Sequence, residues 1–450
     1  MREFVTDLLR RHGDDVPVFT HEHTVTRGAL RASVAAEAGL LAAAGVGEGS
    51  SVMLQVPPSF TQFEVVLALW TLGARVIPVD HRLTPTEVGV LVGLTEPQHF
   101  VRAATPAGDS FRERYELVTE LRPDGVPAAT GHRLVQFTSG STGRPKVVGR
   151  GTGSIIREVL RFGAAEGMTR RGERLLLLNN PAYSFGLMGG LLHSLAVGVE
   201  VVFSARHLAE DVLKAAERHQ VHFISGQPYH FGLLADVADR SALRSVRAAF
   251  SGGEMMPGEV AERFAAAYGF RVGECFGTTE TGALTMDAAG TSRPSVGRPL
   301  PDTGIRVRDG LVEVALDESP YLVGDDPSRF ADGWFRTGDR GEFDAHGNLR
   351  LLGRSDSLVM VRGFNVDLTE VEAALRAHPL VTEAVAVLDG VVTAYVGAPS
   401  GGVTAEEVRA WCAGRLAEFK LPERVRVRRA LPRTSGGKLA RDPGVLAGAR

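Results

Sequence analysis

Lysine is almost missing from this chain: of its 50 basic residues only Lys146, Lys214, Lys420 and Lys438 are lysine. Arginine is a broad bidentate fork, whereas lysine puts a compact charge on a flexible stem, so a chain this biased keeps lysine where a fork will not serve or keeps it by chance. Cysteine is scarcer still, with Cys275 and Cys412 alone, each inside a segment patterned for regular structure. That excludes a disulfide scaffold and leads us to expect a reducing, cytoplasmic setting. No sign of charge dominates, the formal net charge being -3, so the footprint of a nucleic-acid binder is missing. Long apolar runs are missing too. The opening MREFVTDLLRRHGDD spaces Phe4, Val5, Leu8 and Leu9 helically but has no signal-peptide core. The least polar long window, Gly186 to Phe203, is interrupted by His193, Ser194 and Glu200, which argues against a membrane span. What is present is ordinary for a globular enzyme, 450 residues with 44% hydrophobic and 23% charged, enough for two or three domains.

To about Leu316, β-branched runs alternate with amphipathic helical stretches. FTQFEVVLALWTL, 60–72, reads as a helix and the following RVIPV as a strand. Further strands are expected at 134–137, 175–178, 199–203, 221–224, 246–250 and 272–275, mostly separated by helices. That alternation predicts an α/β fold, parallel sheets with crossover helices. Near Trp334 the texture changes, and GEFDAHGNLRLLG reads as a hairpin turning at 346–348. A small α+β unit then begins: a ribbon of 358–361 and 364–366, and helices 368–377 and 405–416. Their expected capping boxes are Asp367 with Glu370 and Thr404 with Glu407. We therefore expect a large multi-sheet domain over 1–352, a hinge at 353–356 and a small mobile domain over 357–450.

The loop Phe137-Thr-Ser-Gly-Ser-Thr-Gly-Arg-Pro-Lys146 follows a strand and offers hydroxyls, exposed backbone N–H groups and one cation, a set able to cradle phosphates. It is not the P-loop of NTPases: Gly140 and Gly143 are three apart and no Gly-Lys-[Ser/Thr] follows. Taken alone, it is equally a flexible Gly/Ser loop. In order, FTSGSTGRPK (137–146), SGGE (251–254), CFGTTE (275–280), WFRTGDRGEF (334–343), GRSD (353–356) and PRTSGGK (432–438) make a set that resembles the acyl-adenylate-forming superfamily. This group holds acyl- and aryl-CoA synthetases, adenylation domains of nonribosomal peptide synthetases, and luciferases. The resemblance runs from about Phe60 to Lys438, and three of the four lysines, 146, 420 and 438, fall in or beside its motifs.

The resemblance implies a role for each matched residue. Thr138, Ser139, Gly140, Ser141, Thr142 and Gly143, with Lys146, would hold the β- and γ-phosphates of ATP. Gly252, Gly253 and Glu254 would form a ledge beside adenine, Phe276 would stack on the base, and Gly277 and Thr278 would belong to the same nucleotide site. Thr279 would reach the α-phosphate, Glu280 would ligate Mg²⁺, Asp339 would accept from the ribose hydroxyls, and Arg354 would bind ribose or phosphate. Asp356 would be the hinge pivot and Gly363 would line the channel of the incoming thiol, CoA or a phosphopantetheine arm. Lys438 would be catalytic, a mobile cation between two anions that must meet.

Two positions depart from the family's GRxDxxxKxxGxR: Met360 stands at the lysine and Asn365 at the last arginine. These bear on how the small domain meets the large one. An ungapped placement puts Phe185 where amino-acid-activating domains carry an aspartate for the substrate ammonium. The acid pocket would then be lined by Tyr183, Phe185, Gly186, Ser225, Phe250, Cys275 and Ala283, with Gly186, Gly189, Gly190 and Gly252 leaving room for an aryl or short acyl acid. The expected function is thus an ATP-dependent acid–thiol ligase using a small carboxylic acid. Its acceptor is CoA or an acyl carrier protein, with no nucleic-acid or membrane partner. An amine acceptor, or a nucleotide-binding homologue without chemistry, stays open. His21 and His23 read as structural, and Arg424, Arg426, Arg428, Arg429 and Arg433 as a solvated edge or a contact for acceptor phosphates.

Overall fold

The computed structural model describes residues 1–138, 145–237, 239–323, 328–361, 364–416, 418–434 and 437–448. The helix Phe60–Leu72 is the axle of the larger part. Ser59 caps it by accepting from the Gln62 amide at 3.1 Å, and Gly73, at φ 81°, ends it. Residues 60–70 are all buried, because the helix lies in the core shared by two sheets. A helix with apolar residues on every side belongs in such a place, and its few polar ones, Gln62 and Glu64 among them, are bonded to the Val56 carbonyl and to Arg114.

One sheet has nine strands, running in space Arg298–Pro299, Gly282–Asp287, Val272–Thr278, Ala248–Gly252, Phe223–Gly226, Arg174–Leu177, Glu200–Val202, Pro17–Thr20 and Thr24–Thr26. From Val272–Thr278 to Pro17–Thr20 every pairing is parallel. The second sheet has seven: Tyr321–Val323, Lys146–Gly151, His132–Thr138, Arg75–Pro78, Ser51–Gln55, His99–Ala103 and Leu117–Leu121. Its middle is parallel and its edges antiparallel. A third, antiparallel sheet includes Leu311–Ala315, Trp334–Phe343 and Leu349–Arg354. Strand ends differ from the sequence expectation by one to three residues, as at Phe223–Gly226 for 221–224 and Val272–Thr278 for 272–275, since partner register sets where pairing stops. The expected apolar window opens as a π-helix, Phe185–Leu192, and continues as the helix His193–Val197. Among the described residues no helix is long and apolar enough to cross a membrane.

Beyond the 3-10 turn Ser355–Ser357, the ribbon Leu358–Val361 with Phe364–Asp367 leads into helix Leu368–Arg376. The strands Glu383–Asp389, Val391–Gly397 and Arg424–Arg428 form a sheet with helix Ala405–Ala413 packed on it. Val366, Val371, Leu375, Ala384, Val396, Val408 and Cys412 make a core of their own. Thr404 and Glu407 form the expected capping box. Asp367 and Glu370 do not: Asp367 caps by accepting from the Thr369 amide, but Glu370 turns away to Lys420 at 2.6 Å. A fixed cation offers Glu370 more than a backbone amide does. The second helix stops at Ala413, short of the expected Leu416, with Gly414 as its cap.

Candidate active site

The strands His132–Thr138 and Lys146–Gly151 form a hairpin in which Thr138 faces Lys146. Ser139, Gly140, Ser141, Thr142 and Gly143, the loop between them, lie outside the described residues. The Lys146 ammonium sits 4.7 Å from the ring centroid of Tyr321, which comes from the strand bonded to the other edge of Lys146–Gly151. The Tyr321 hydroxyl donates to Glu280 Oε1 at 3.1 Å. One buried tyrosine thus ties the Lys146 ammonium to the Glu280 carboxylate.

The ledge is the end of two parallel strands, with Gly252 opposite Cys275. Gly253 has φ 94°, so the chain turns left-handed directly after the strand, which a β-carbon resists. Phe276 and Gly277 continue into a tight hairpin with Gly282 and Ala283. A β-carbon on Gly277 would come within 2.4 Å of the Gly282 carbonyl oxygen. Phe276, Thr278, Thr279 and Glu280 are half-buried, and Thr278 Oγ1 lies 3.1 Å from Thr281 Oγ1.

Asp339 and Arg354 are register partners on neighbouring antiparallel strands. Arg354 Nη1 donates to the Thr337 carbonyl at 3.2 Å and to Asp339 Oδ1 at 3.4 Å, and the Asp339 amide donates to Thr337 Oγ1 at 3.0 Å. The carboxylate is thereby oriented by its own hairpin. Asp356 lies in the Ser355–Ser357 turn, its side chain outside what is described, as are residues 362–363 with Gly363.

Lys438 is exposed on a loop tied at both sides. Its carbonyl accepts from the Thr434 amide at 2.7 Å, and the next amide, Leu439 N–H, donates across the cleft to Glu254 Oε1 at 3.3 Å. Hence the last motif and the SGGE ledge, far apart in sequence, meet. Gln227, Tyr229 and Arg433 join them there: a β-carbon on Gly437 would lie 2.5 Å from Gln227 Oε1, and the Arg433 guanidinium lies 5.3 Å from the Tyr229 centroid. Sequence reading missed Tyr321, Gln227 and Tyr229, which carry no local motif.

Around the expected acid pocket, Phe185 and Phe250 rings are 5.5 Å apart. Phe250, Cys275 and Ala283 belong to the main core, and burial pushes the Cys275 thiol far up, keeping it neutral. Ser225 donates to Asn179 at 2.9 Å, and Tyr183 donates to the buried Asp80 at 3.4 Å. The expectation that glycines leave room here is corrected. A β-carbon on Gly252 would meet the Phe185 ring at 2.8 Å, on Gly189 the Phe162 ring at 2.9 Å, on Gly190 Leu177 at 2.6 Å, and on Gly186 the Asn180 carbonyl at 2.6 Å. These glycines let neighbours close in; the space in front of them is taken.

Elsewhere, His23 Nδ1 is 2.9 Å from Glu113 and His21 Nδ1 is 3.0 Å from the Phe203 carbonyl. Arg428 is bound to the carbonyls of Leu446 and Ala447, and Arg433 to that of Gly437. Among the described residues no group of three or more His, Cys, Asp or Glu could hold a metal ion. The single carboxylate of Glu280 suits Mg²⁺, which usually takes one or two protein carboxylates and fills its shell with phosphate oxygens and water.

Two parallel-cored sheets, a small C-terminal unit and a lysine loop reaching the ledge define an adenylate-forming enzyme. The chain belongs to the AMP-binding enzyme family, whose pattern matches residues 6–319, with the family's C-terminal domain matching 370–438. It is 29% identical to a 3-[(3aS,4S,7aS)-7a-methyl-1,5-dioxo-octahydro-1H-inden-4-yl]propanoyl:CoA ligase of Mycobacterium tuberculosis, over 96% of each chain. It is also 29% identical to the 2-succinylbenzoate–CoA ligase of Bacillus velezensis, over 88% of this chain and 87% of that one. Its fold is that of O-succinylbenzoate coenzyme A synthetase from Bacillus subtilis. The AMP complex of that enzyme superposes with a TM-score of 0.82 at 24% identity, over 99% of this chain and 98% of that one. The complex with the acyl-adenylate gives 0.81 at 25%, over the same shares.

Proposed function

We propose that the protein is an ATP-dependent acid–thiol ligase that makes an acyl-adenylate and passes the acyl group to CoA. The observation that carries this reading is the Leu439–Glu254 contact, which brings the Lys438 loop onto the ledge beside the expected adenine site. Relatives named as CoA ligases over nearly their whole length favour CoA over a carrier protein or an amine. We take 1–352 as the ATP- and acid-binding domain, 353–356 as the hinge and 357–450 as the mobile domain.

In the first step a carboxylate oxygen of the acid attacks the α-phosphorus of ATP, and the bond to the bridging oxygen of the β-phosphate breaks to release pyrophosphate. Thr138 and Lys146 hold the phosphate end; Thr279 meets the α-phosphate. Glu280 would hold Mg²⁺, which when bound neutralises phosphate charge. Asp339, already oriented by its hairpin, receives the ribose hydroxyls, and Arg354 stands beside it. Lys438 offsets the repulsion between carboxylate and phosphate and stabilises charge as it develops. In the second step the thiol sulfur attacks the acyl carbon, the bond from that carbon to the phosphate oxygen breaks to release AMP, and the thiol's proton passes to solvent. The mobile domain turns between the steps, withdrawing Lys438 and presenting the Gly363 ribbon.

Tyr183, Phe185, Phe250 and Ala283 are the side chains expected to meet the acid, and the apolar rings of Phe185 and Phe250 suit an aryl or short acyl one. The test is pyrophosphate release over a panel of carboxylic acids with and without CoA. At least one aryl or short acyl acid should release pyrophosphate and yield a CoA thioester. Release with no thioester would move the acceptor elsewhere, and no release with any acid would leave a nucleotide-binding homologue.

A further inference from the structure

The lysine loop needs something to land on, and the structure shows a built seat. The Tyr229 ring lies against that of His230, centroids 3.9 Å apart. His230 is buried, and its Nδ1 accepts from the Gln227 amide at 3.0 Å, which leaves Nε2 as the donor toward His207 Nδ1 at 3.3 Å. One neutral tautomer is therefore fixed, and the aromatic plane above it is held on a rigid base. From the small unit, Arg433 spans this plane. Its Nη1 donates to the Gly437 carbonyl at 2.7 Å, its Nη2 pairs with Glu383 at 2.5 Å, and its central carbon lies over Tyr229, 5.3 Å from the ring centroid. Gly437, at φ 83°, a conformation that side chains resist, lies against the end of the Gln227 side chain. Arg433 thus clamps the residue before Lys438 from within while resting on the large domain.

Resting on the function proposed above, we infer that Tyr229 and Arg433 are positioning residues that seat Lys438 for the adenylation step alone. A guanidinium is attracted to an aromatic ring only at short range, so the contact is lost once the domain turns. The two half-reactions should therefore respond differently. Tyr229→Leu and Arg433→Met should each lower acid-dependent pyrophosphate exchange about tenfold, the scale of a partly desolvated cation–π contact. Thioester formation from synthetic acyl-AMP should keep its wild-type rate. The double variant should be little worse than either single one, because both remove the same contact. Tyr229→Phe, which keeps the ring, should restore the exchange lost in Tyr229→Leu.

A second measurement reads the seat without catalysis. Hydrogen exchange over 437–440 in the full-length protein should be protected in the wild type and faster in Tyr229→Leu, as the Leu439 amide leaves Glu254. Equal losses in both half-reactions, additive effects in the double variant, or unchanged amide exchange would each overturn the inference. Failure of the wild type to activate any acid would instead strike the proposed reaction, with the amide measurement still deciding the seat.

Discussion

Lys438 and Tyr321 show how differently single residues announce themselves. The first stands in a motif, and its substitution has a plain expectation: Lys438→Ala should cut adenylate formation roughly 10²–10³-fold while sparing transfer from synthetic acyl-AMP. Pyrophosphate exchange at the wild-type rate would remove it from the chemistry. Tyr321 was invisible in sequence, since nothing near it says that its ring will carry Lys146 and its hydroxyl reach Glu280. Tyr321→Phe keeps the ring and its edge contact with Phe335 but frees Glu280 of its donor. The Mg²⁺ concentration giving half-maximal exchange should shift about tenfold, in keeping with a hydrogen bond to a charged group, and the thermal midpoint should hold. An unchanged Mg²⁺ dependence would leave Tyr321 as a packing residue only. Motif residues were legible because their spacing is local; Tyr321, Tyr229 and Gln227 were not, because only strand order brings them in.

At the scale of elements the helix Phe60–Leu72 was legible to the residue from its apolar pattern, and the structure adds the Ser59 cap and the terminal Gly73. The π-helix Phe185–Leu192 was not, since a wider turn leaves no simple period, and the glycines read as vacant space turned out to be packed against. The axle helix carries a charge problem that predicts pH behaviour. Burial pushes the Glu64 carboxyl up from 4.5 to about 7, even with Arg114 bonded to it. Below pH 4.5 the folded and unfolded chains both hold this proton. Between 4.5 and about 7 only the folded chain does, so stability falls as pH rises through that window. The loss is at most about 3 kcal/mol and is complete above the folded value. Urea unfolding at pH 5 and pH 8 should show this slope in the wild type and a flatter one in Glu64→Gln. A slope of equal size in both would place the proton elsewhere.

For the whole molecule, the two-part architecture followed from the change of texture after Trp334, and the resemblance supplied the cleft between the parts. What the acid meets there is set by groups from several elements. The buried carboxylates that touch Tyr183 and Ala283 are already matched: Asp80 by Arg82 and Asn180, and Glu158 by Arg150 and the Ala283 amide. A substrate ammonium would lose its hydration with no partner left. Free α-amino acids should therefore be activated worse than their des-amino counterparts in a pyrophosphate-release panel. Phenylalanine outperforming benzoic, cinnamic and short fatty acids would show that the register at Phe185 is wrong.

The strand Lys146–Gly151 is bonded on one side by His132–Thr138 and on the other by Tyr321–Val323. The order of synthesis thus bears on when the enzyme becomes competent. The first hairpin can close as soon as its own residues are made, yet its outer edge, and the aromatic face under Lys146, wait for Tyr321. A nascent chain halted after Ala315 would carry every expected phosphate-loop residue and still lack the ring and hydroxyl that link them to Glu280. On ribosome-bound chains, protection of the 146–151 amides should rise in two stages, the second only once residue 323 has cleared the exit tunnel.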